Sequence, residues 1–255
     1  MTHATLEACH HDLLWSPMTP RKGDREILVL HEMRESRAVV PWKYQNPFVN
    51  NRHAKEVTLY LHGQSFQVAQ DQQAQVTLHQ GTGRRLWDGA YILSRYLESW
   101  PQLSHEVILE LGSGCGVVSL AVHASGARVT ATDQEEAMSL LQQNIRRNVP
   151  DSSRMHVCTL DWTQPVPKVM EGAYSLILAS EILYLPALHS AILTTLSSAL
   201  RPDGKALFLY HQRGLGEEAF LAKATHRGFT LHQIPEEDLD TEFHGQGYQC
   251  FLLSR

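Results

Sequence analysis

The chain has 255 residues, of which 43% are hydrophobic and 19% are charged, an ordinary composition for a globular domain and unlike that of a disordered or fibrous protein. A formal net charge of -5 gives no general attraction to nucleic acid or to acidic membranes. No stretch of the sequence approaches the roughly 18 uninterrupted apolar residues of a membrane helix, so neither nucleic acid nor a membrane is expected as a partner.

The amino-terminal sequence, MTHATLEACHHDLL, lacks the charged head and continuous apolar stretch of a secretory signal. We therefore expect a protein of the cytoplasm, with the nucleus left open as a further compartment, and we expect a monomer. The cysteines lie far apart and form no CxxC pair, which predicts free thiols rather than disulfides or a zinc site. They are Cys9, Cys115, Cys158 and Cys250. No histidine pair has metal-ligand spacing, and no metal site is predicted.

The first 55 residues are irregular apart from one predicted strand, Ile27–Leu30. The segment VTLYLHGQSFQVAQ, Val57–Gln70, contains two alternating runs around His62-Gly63-Gln64 and predicts a β-hairpin. After it the apolar residues recur at helical spacing, which predicts an amphipathic helix. These residues are Leu86, Ala90, Leu93 and Leu97.

From Val107 onward, predicted strands and helices alternate. The strands are Val107–Leu111, Arg128–Thr132, His156–Leu160, Ser175–Ser180, Ala206–Tyr210, Thr230–Ile234 and Tyr248–Leu253. The helices are Gly116–Ala124, Gln134–Asn148, Leu188–Leu200 and Glu217–Arg227. Glycine or proline marks most of the gaps, including Pro202-Asp203-Gly204. Such alternation predicts a parallel sheet with helices on both faces. Because no helix separates the last two strands, an antiparallel ending is expected.

A glycine-rich turn, GSGCG, follows the first strand of this alternating region. Gly112, Gly114 and Gly116 lack the Cβ atoms that would keep the backbone away from a ligand. Ligands of open α/β sheets bind at the carboxyl ends of the strands, which is where this turn lies. The dinucleotide pattern G-x-G-x-x-G requires a glycine at the position of Val117. The turn therefore predicts a nucleotide-like cofactor but gives no strong case for a dinucleotide.

The segment ELGSGCG resembles the S-adenosylmethionine loop of the seven-strand methyltransferases. The segments GRRLWDGAYILSRYLE, LDW and LILASEILYLPALHSAILTTL further resemble the family 16 methyltransferases, a group that includes lysine methyltransferases of Hsp70-type chaperones, valosin-containing protein and elongation factors. The resemblance extends from about Val57 to the carboxyl terminus. It implies a Rossmann-like class I α/β fold, divided into an extension with the hairpin at 1–80 and a methyltransferase domain at 81–255.

The resemblance also implies S-adenosyl-L-methionine as the cofactor. Glu110 ends the first strand and can face the cationic amine of the methionine moiety, and Asp133 ends the next strand, where it can accept bonds from both ribose hydroxyls. Asp161 and Trp162 follow the third strand and are placed near the adenine, although Trp162 can equally be a core residue. The predicted cofactor-binding residues are Trp87, Glu110, Gly112, Ser113, Gly114, Gly116, Asp133, Asp161, Trp162 and Ser180.

The family's D-x-x-Y marker corresponds to Glu181-Ile182-Leu183-Tyr184, so the acid is one methylene longer than usual. Glu181 and Tyr184 are the predicted catalytic residues: Glu181 orients the acceptor amine and secondarily acts as a base, and Tyr184 adds a polar contact. The alternatives are a charge at a helix start and a core aromatic. Some family relatives, including a histidine methyltransferase, carry glutamate here, so lysine is favoured as the acceptor and histidine stays open.

The predicted function is S-adenosylmethionine-dependent methyl transfer to a side-chain nitrogen of a protein. By family analogy the substrate is a chaperone, an AAA ATPase or a translation factor. A small-molecule methyltransferase and a non-catalytic binding module are the alternatives, and a dinucleotide oxidoreductase ranks last. His211, Gln212 and Arg213 follow a predicted strand, but surface charge explains them equally well, and they are left outside the predicted site.

Overall fold

The structure, a computed structural model, describes residues 46–71, 82–100 and 103–255, so Cys9 and the predicted strand Ile27–Leu30 lie outside the described residues. The β-strands are β1 (Glu56–Leu61), β2 (Gln64–Ala69), β3 (Val107–Leu111), β4 (Arg128–Asp133), β5 (Met155–Thr159), β6 (Tyr174–Ser180), β7 (Leu200–His211), β8 (Thr230–Ile234) and β9 (Tyr248–Ser254). The α-helices are α1 (Pro47–Asn51), α2 (Asp88–Leu97), α3 (Val117–Ala124), α4 (Glu135–Asn148), α5 (His189–Ala199) and α6 (Glu217–His226).

The main sheet has seven strands in the order β5-β4-β3-β6-β7-β9-β8. All pairs are parallel except those of β9, which runs antiparallel to β7 and β8. The predicted α/β class and its antiparallel ending are confirmed. The chain first builds outward from β3 to β5 and then returns to add β6 beside β3. The carboxyl ends of β3 and β6 are therefore the point at which strand order reverses and a ligand crevice opens.

The predicted hairpin is confirmed as β1 and β2, which pair from Glu56↔Ala69 to Leu61↔Gln64. The connecting residues His62 and Gly63 have φ values of 48° and 69°. Positive φ at both positions is the requirement of a type I′ turn, whose twist matches that of the flanking strands. Gln64, predicted to lie in the turn, is the first residue of β2.

The start of β7 differs most from the prediction. The tripeptide Pro202-Asp203-Gly204 was predicted to separate a helix from a strand, yet β7 begins at Leu200 and continues through it. Leu200 pairs with Tyr174, and the next pair is Lys205 with Leu176, with a register shift between them. The turn residues are accommodated as an irregularity of the strand, because a bulge tolerates proline and glycine that a regular central ladder does not.

Hydrophobic side chains cover both faces of the sheet. Along β3, Ile108 belongs to the cluster that includes the hairpin, α2, α3 and α4, whereas Leu109 and Leu111 belong to the cluster with α5 and α6. This alternation follows from the twofold periodicity of a strand. Burial of both faces explains the nearly continuous apolar sequence of β3 and β6.

The hairpin shares its core with the main sheet: Val57, Leu59 and Val68 are buried in the same cluster as Ile108. All described residues belong to one compact unit, which extends from Tyr44 to Arg255. The predicted division at residue 80 stays a prediction, because residues 72–81 lie outside the described part. None of the helices of the described ranges has the length and apolarity needed to cross a membrane.

Two asparagines of α4 continue the hydrogen bonding of the hairpin edge. Asn144 donates through Nδ2 to the Ala69 carbonyl and accepts from the Ala69 N–H, both at 2.9 Å. Asn148 makes the corresponding bonds to Gln67, both at 2.8 Å. Asn144 also donates to the carbonyl of Cys115 at 3.0 Å. The side chain of one buried asparagine thus connects the hairpin, helix α4 and the glycine turn.

We expect Asn144→Ala to lower the free energy of unfolding by about 2–3 kcal/mol, because buried backbone groups of Ala69 and Cys115 would lose their partners. The amide of Ala69 should exchange its hydrogen faster than in the unmodified protein. Urea unfolding and amide hydrogen exchange measure these effects. Gln143→Ala, at an exposed position of the same helix, is the control and should change stability by no more than about 0.5 kcal/mol. Unchanged exchange at Ala69 in Asn144→Ala would contradict the assigned role.

Candidate active site

The glycine turn at the end of β3 packs too closely against its neighbours for side chains. Gly112, Gly114 and Gly116 have φ values of 69°, 52° and 87°, which other residues rarely adopt. A Cβ atom on Gly112 would lie 2.7 Å from Cγ2 of Ile182, and one on Gly116 would lie 2.8 Å from Cδ1 of Leu141. The turn therefore exposes backbone, rather than side chains, toward the crevice.

A cleft opens in front of this turn, at the carboxyl ends of the strands where ligands of open α/β sheets bind. Its lining includes nine of the residues predicted from the sequence, namely Trp87, Gly112, Ser113, Gly114, Asp133, Trp162, Ser180, Glu181 and Tyr184. The fold thus brings together the ends of β3, β4, β5 and β6 with the segment before α2. We refer to this space below as the cofactor cleft.

Asp133, the last residue of β4, lies on the wall of the cofactor cleft. Its carboxylate accepts the backbone N–H of Gly114 and that of Gln134, both at 2.7 Å. Burial raises the pKa of Asp133 above its ordinary value, while these two N–H groups act to lower it. Each carboxylate oxygen can accept more than one hydrogen bond, so the group remains able to bind a ligand hydroxyl.

Trp162 supplies an apolar surface with an unused donor. The residue lies on the cleft wall, and its six-membered ring is 3.7 Å from the position of a Cβ on Gly112. Its buried indole Nε1 has no hydrogen-bond partner among the described residues. The flat ring can cover the face of a purine, whereas its buried Nε1 is inaccessible to a ligand in the cleft. Together with the bare glycine turn and the acid of Asp133, this fits an adenosyl cofactor.

Three predicted residues lie outside the lining of the cleft. Gly116 is the N-cap residue of helix α3, at the end of the turn. Asp161 is exposed and accepts the backbone N–H of Thr163 at 2.9 Å and the hydroxyl of the same residue at 2.7 Å. Glu110 is 1% exposed and accepts a hydrogen bond from the hydroxyl of Ser119. Their contacts with a cofactor stay predictions.

Trp87 and the residues before it form the outer wall of the cleft. Trp87 Nε1 donates to the carbonyl of Thr82 at 2.9 Å. The hydroxyls of Thr82 and Tyr184 lie 3.1 Å apart and form a hydrogen bond. The segment before α2 is thereby connected to the segment after β6, and the indole of Trp87 remains 37% exposed.

Glu181 follows β6 directly and has a φ of 58°, an unusual conformation for a residue with a side chain and one often found at functional sites. Its N–H donates to the carbonyl of Leu209 at 2.9 Å. Its carboxylate Oε2 accepts from Nη1 of Arg213 at 2.6 Å. Burial raises the pKa of Glu181, and the guanidinium of Arg213 opposes that increase.

A second cavity also borders Glu181. It is lined by Arg52, His53, Arg85, Leu86, Trp87, Asp88, Glu181, His211, Arg213 and Tyr248. Arg85, Leu86, Trp87 and Glu181 also line the cofactor cleft. Glu181 and Trp87 therefore separate two spaces that meet at their side chains.

Several of these lining residues were missed from the sequence. Thr82, Gly83 and Arg85 precede a helix, and their approach to the glycine turn depends on tertiary packing. His211 and Arg213 are absent from the predicted site, although His211 ends β7, the strand next to β6, and Arg213 follows it. Their position at the carboxyl end of β7 was the signal that could have included them, because parallel strands end at the same edge of a sheet.

Comparisons with known proteins agree with this geometry. The model of a family described as lysine methyltransferase matches residues 68–227. Protein N-lysine methyltransferase METTL21A of Danio rerio is 31% identical over 157 residues, which cover 60% of this chain and 72% of that protein. EEF1A lysine methyltransferase 3 of Mus musculus is 32% identical over 162 residues, which cover 63% of this chain and 69% of that protein.

Among solved structures, magnesium protoporphyrin IX methyltransferase ChlM from Synechocystis PCC 6803 with bound SAM has a TM-score of 0.51 to this chain at 18% identity. The match covers 64% of this chain and 76% of that chain, and it shows the fold alone.

The fold and the cleft define an S-adenosylmethionine-dependent class I methyltransferase. Because the family model covers more than half of the sequence, the chain belongs to the lysine methyltransferase family, as the motifs around Trp87, Gly112 and Glu181 had indicated. The predicted free thiols are confirmed for Cys115 and Cys250, which are buried, and for Cys158. Within the described ranges, no group of three or more His, Cys, Asp or Glu side chains is placed to hold a metal ion.

The buried acid Glu110 should make stability depend on pH. Burial raises its pKa from 4.5 to about 7, so its contribution to stability is fully present below pH 4.5 and is lost as the pH rises through about 7. This loss amounts to about 3 kcal/mol. We expect the free energy of unfolding of Glu110→Gln to lack this decrease between pH 4.5 and about 7. Urea unfolding at several pH values between 4.5 and 8 measures it, and parallel curves for the variant and the unmodified protein would show that Glu110 does not titrate in this range.

Proposed function

We propose that this enzyme methylates a lysine side chain of a protein substrate, with the cofactor in the cleft and the lysine entering from the second cavity, which we call the acceptor cavity. The observation that carries the proposal is the position of Glu181, which borders both spaces. A carboxylate at that boundary is placed to contact a cationic side chain next to the donor. The charged lining of the acceptor cavity, with Arg213 and Asp88, is unlike the mostly apolar pocket that a small-molecule acceptor usually fills.

We assign the cofactor contacts by chemistry and position. Asp133 accepts bonds from the ribose hydroxyls, and Trp162 covers the adenine, with Asp161 at the rim. The backbone of Ser113 and its neighbouring glycines faces the methionine moiety, behind which Glu110 supplies an acid. Trp87 and Ser180 complete the walls. These roles are supported by the lining of the cleft for all except Glu110 and Asp161.

S-adenosylmethionine supplies a methyl group on positively charged sulfur, and in the transfer the N–C bond forms as the S–C bond breaks and its electron pair stays on sulfur. The chain's own residues position the acceptor and remove its charge. A lysine ammonium has no lone pair, and its ordinary pKa is about 10.4, so a proton must leave before attack. Glu181 binds and orients the ammonium, and the proton passes to water or to this carboxylate. Tyr184, joined to Thr82, adds a polar contact at the mouth of the cleft.

A folded protein is the proposed class of substrate. The names of the two relatives, a protein N-lysine methyltransferase and an EEF1A lysine methyltransferase, support a protein acceptor. They make a translation factor the first candidate, with a chaperone or an AAA ATPase next. We further propose that the enzyme acts as a monomer in the cytoplasm, where such substrates are found. Histidine is the competing acceptor, because the acid at position 181 is glutamate.

Glu181→Ala should lower kcat/KM for methyl transfer by at least about 100-fold, since positioned acid–base groups contribute about 100- to 10,000-fold. Binding of S-adenosylhomocysteine, measured by calorimetry, should change by less than about threefold. The rate is followed with radiolabelled cofactor and a cell extract, and mass spectrometry identifies the labelled residue. Full activity of Glu181→Ala would exclude the assigned role, and label on histidine would replace lysine as the acceptor.

Asp133→Asn should weaken binding of S-adenosylhomocysteine by about tenfold, the loss expected for charged hydrogen bonds to ligand hydroxyls. Calorimetry gives the dissociation constant. Glu135→Gln, which changes a neighbouring acid at the start of α4 outside the cleft lining, is the matched control and should bind normally. Equal binding by Asp133→Asn and the unmodified enzyme would remove Asp133 from the site.

A further inference from the structure

Two residues on other elements lie against the side chain of Glu181. Its Oε2 accepts from the guanidinium of Arg213 at 2.6 Å. It also packs against Gly89 of helix α2, where a Cβ atom would lie 2.6 Å from Oε1 and 2.7 Å from Cγ. Both distances from a Cβ are shorter than contacts between such atoms in folded proteins, so any side chain at position 89 would displace the carboxylate.

We propose that Gly89 and Arg213 are positioning residues for Glu181. Gly89 leaves the space that the longer acid occupies, and Arg213 keeps the carboxylate ionised and directed to the boundary between the cofactor cleft and the acceptor cavity. This inference rests on the proposed function, because it concerns the acid that receives the acceptor. Gly89 and Arg213 have no proposed contact with the cofactor, and this inference gives them a role.

The helix itself does not require glycine at position 89. Gly89 is the second residue of α2 and is absent from the residues with positive φ, so its backbone conformation is open to alanine. Glycine is among the least favourable residues within helices. Its presence here is explained by the neighbouring acid, because the missing Cβ is what allows Glu181 to lie against the helix.

Arg213 is itself fixed by a second buried acid. Its backbone N–H donates to Oε1 of Glu217 at 3.0 Å, and Glu217, the first residue of α6, is 2% exposed. The guanidinium carbon lies 6.0 Å from the ring centre of Trp87, at the edge of the range of cation–π attraction. The loop after β7 thus presents Arg213 in a defined direction toward Glu181.

The carboxylate of Glu181 is surrounded by several charged or titratable groups. Those that line the acceptor cavity with it are Arg52, His53, Arg85, Asp88, His211, Arg213 and Tyr248. Burial raises the pKa of Glu181, whereas Arg213 and, less strongly, His211 lower it. Because Arg213 forms an ion pair with Glu181 at 2.6 Å and lowers its pKa more than the other groups do, the loss of Arg213 should raise the Glu181 pKa most.

The contact between Gly89 and Glu181 is tested by a double-mutant cycle, in which the melting temperatures of full-chain variants are compared. In the Glu181→Ala background, Gly89→Ala should raise the melting temperature, because alanine stabilises a helix relative to glycine. In the presence of Glu181 the same change should give a smaller increase or a decrease, and kcat/KM should fall at least tenfold with S-adenosylhomocysteine binding retained. Equal temperature shifts in both backgrounds, or unchanged kcat/KM, would overturn the role of Gly89.

The role of Arg213 is tested by titrating Glu181 directly. In protein carrying carbon-13 in the glutamate carboxyls, the signal of Glu181 is the one lost in Glu181→Gln. Its pKa should rise by at least about one unit in Arg213→Gln, since a close opposite charge shifts a carboxyl by about 1–3 units. Arg213→Lys should restore most of that shift and most of the activity. Arg227→Gln, which removes an exposed arginine bonded to α5, is the control and should match the unmodified protein.

An unchanged Glu181 titration in Arg213→Gln would overturn the role of Arg213. Equal defects in Arg213→Gln and Arg213→Lys would do the same. Failure of the proposed function gives a different result: the unmodified enzyme would transfer no methyl group to protein lysine, while the melting cycle and the carboxyl titration would still report whether Gly89 and Arg213 hold Glu181.

Discussion

The close packing of neighbouring side chains against the glycine turn at the end of β3 is the constraint on which the site depends. Gly112 lies against Ile182, and Gly116 lies against Leu141, at distances that leave no room for a Cβ. Between them, Ser113 donates its N–H to the Thr132 carbonyl at 2.9 Å and accepts the Thr132 N–H on its hydroxyl at 3.1 Å. The turn therefore packs tightly against β4, α4 and the segment after β6. The cofactor cleft is the space in front of this turn.

Buried acids surround this corner, and each is compensated differently. Glu110 accepts the hydroxyl of Ser119, Asp133 accepts two backbone N–H groups, and Glu181 pairs with Arg213. Burial acts to raise the pKa of all three. Asp133 and Glu181 line the cleft, and an ionised carboxylate in a poorly solvated cleft attracts the positive charge of a cofactor more strongly than it does in water.

Periodicity and glycine spacing predicted most of the architecture. Apart from the start of β7, the strands and helices from Val107 onward begin and end within one residue of their predicted bounds, because each has a hydrophobic period or a glycine boundary in the sequence. The start of β7 was wrong because Pro202-Asp203-Gly204 has the chemistry of a turn, and only the pairing of Leu200 with Tyr174 shows that the strand continues. The residues of a segment do not by themselves specify the strand with which that segment pairs.

By itself, the sequence determined the class of fold, the cofactor and the family, since these depend on residue types at fixed spacings: the glycines after β3, the acid that ends β4, and the E-x-x-Y segment after β6. The tertiary structure alone decided that Glu181 lines two cavities and that both Gly89 and Arg213 lie against it. Gly89 and Arg213 are far from Glu181 along the chain, on different elements. Contacts between such residues follow from how helices and loops pack on the sheet, and no local pattern in the sequence specifies them.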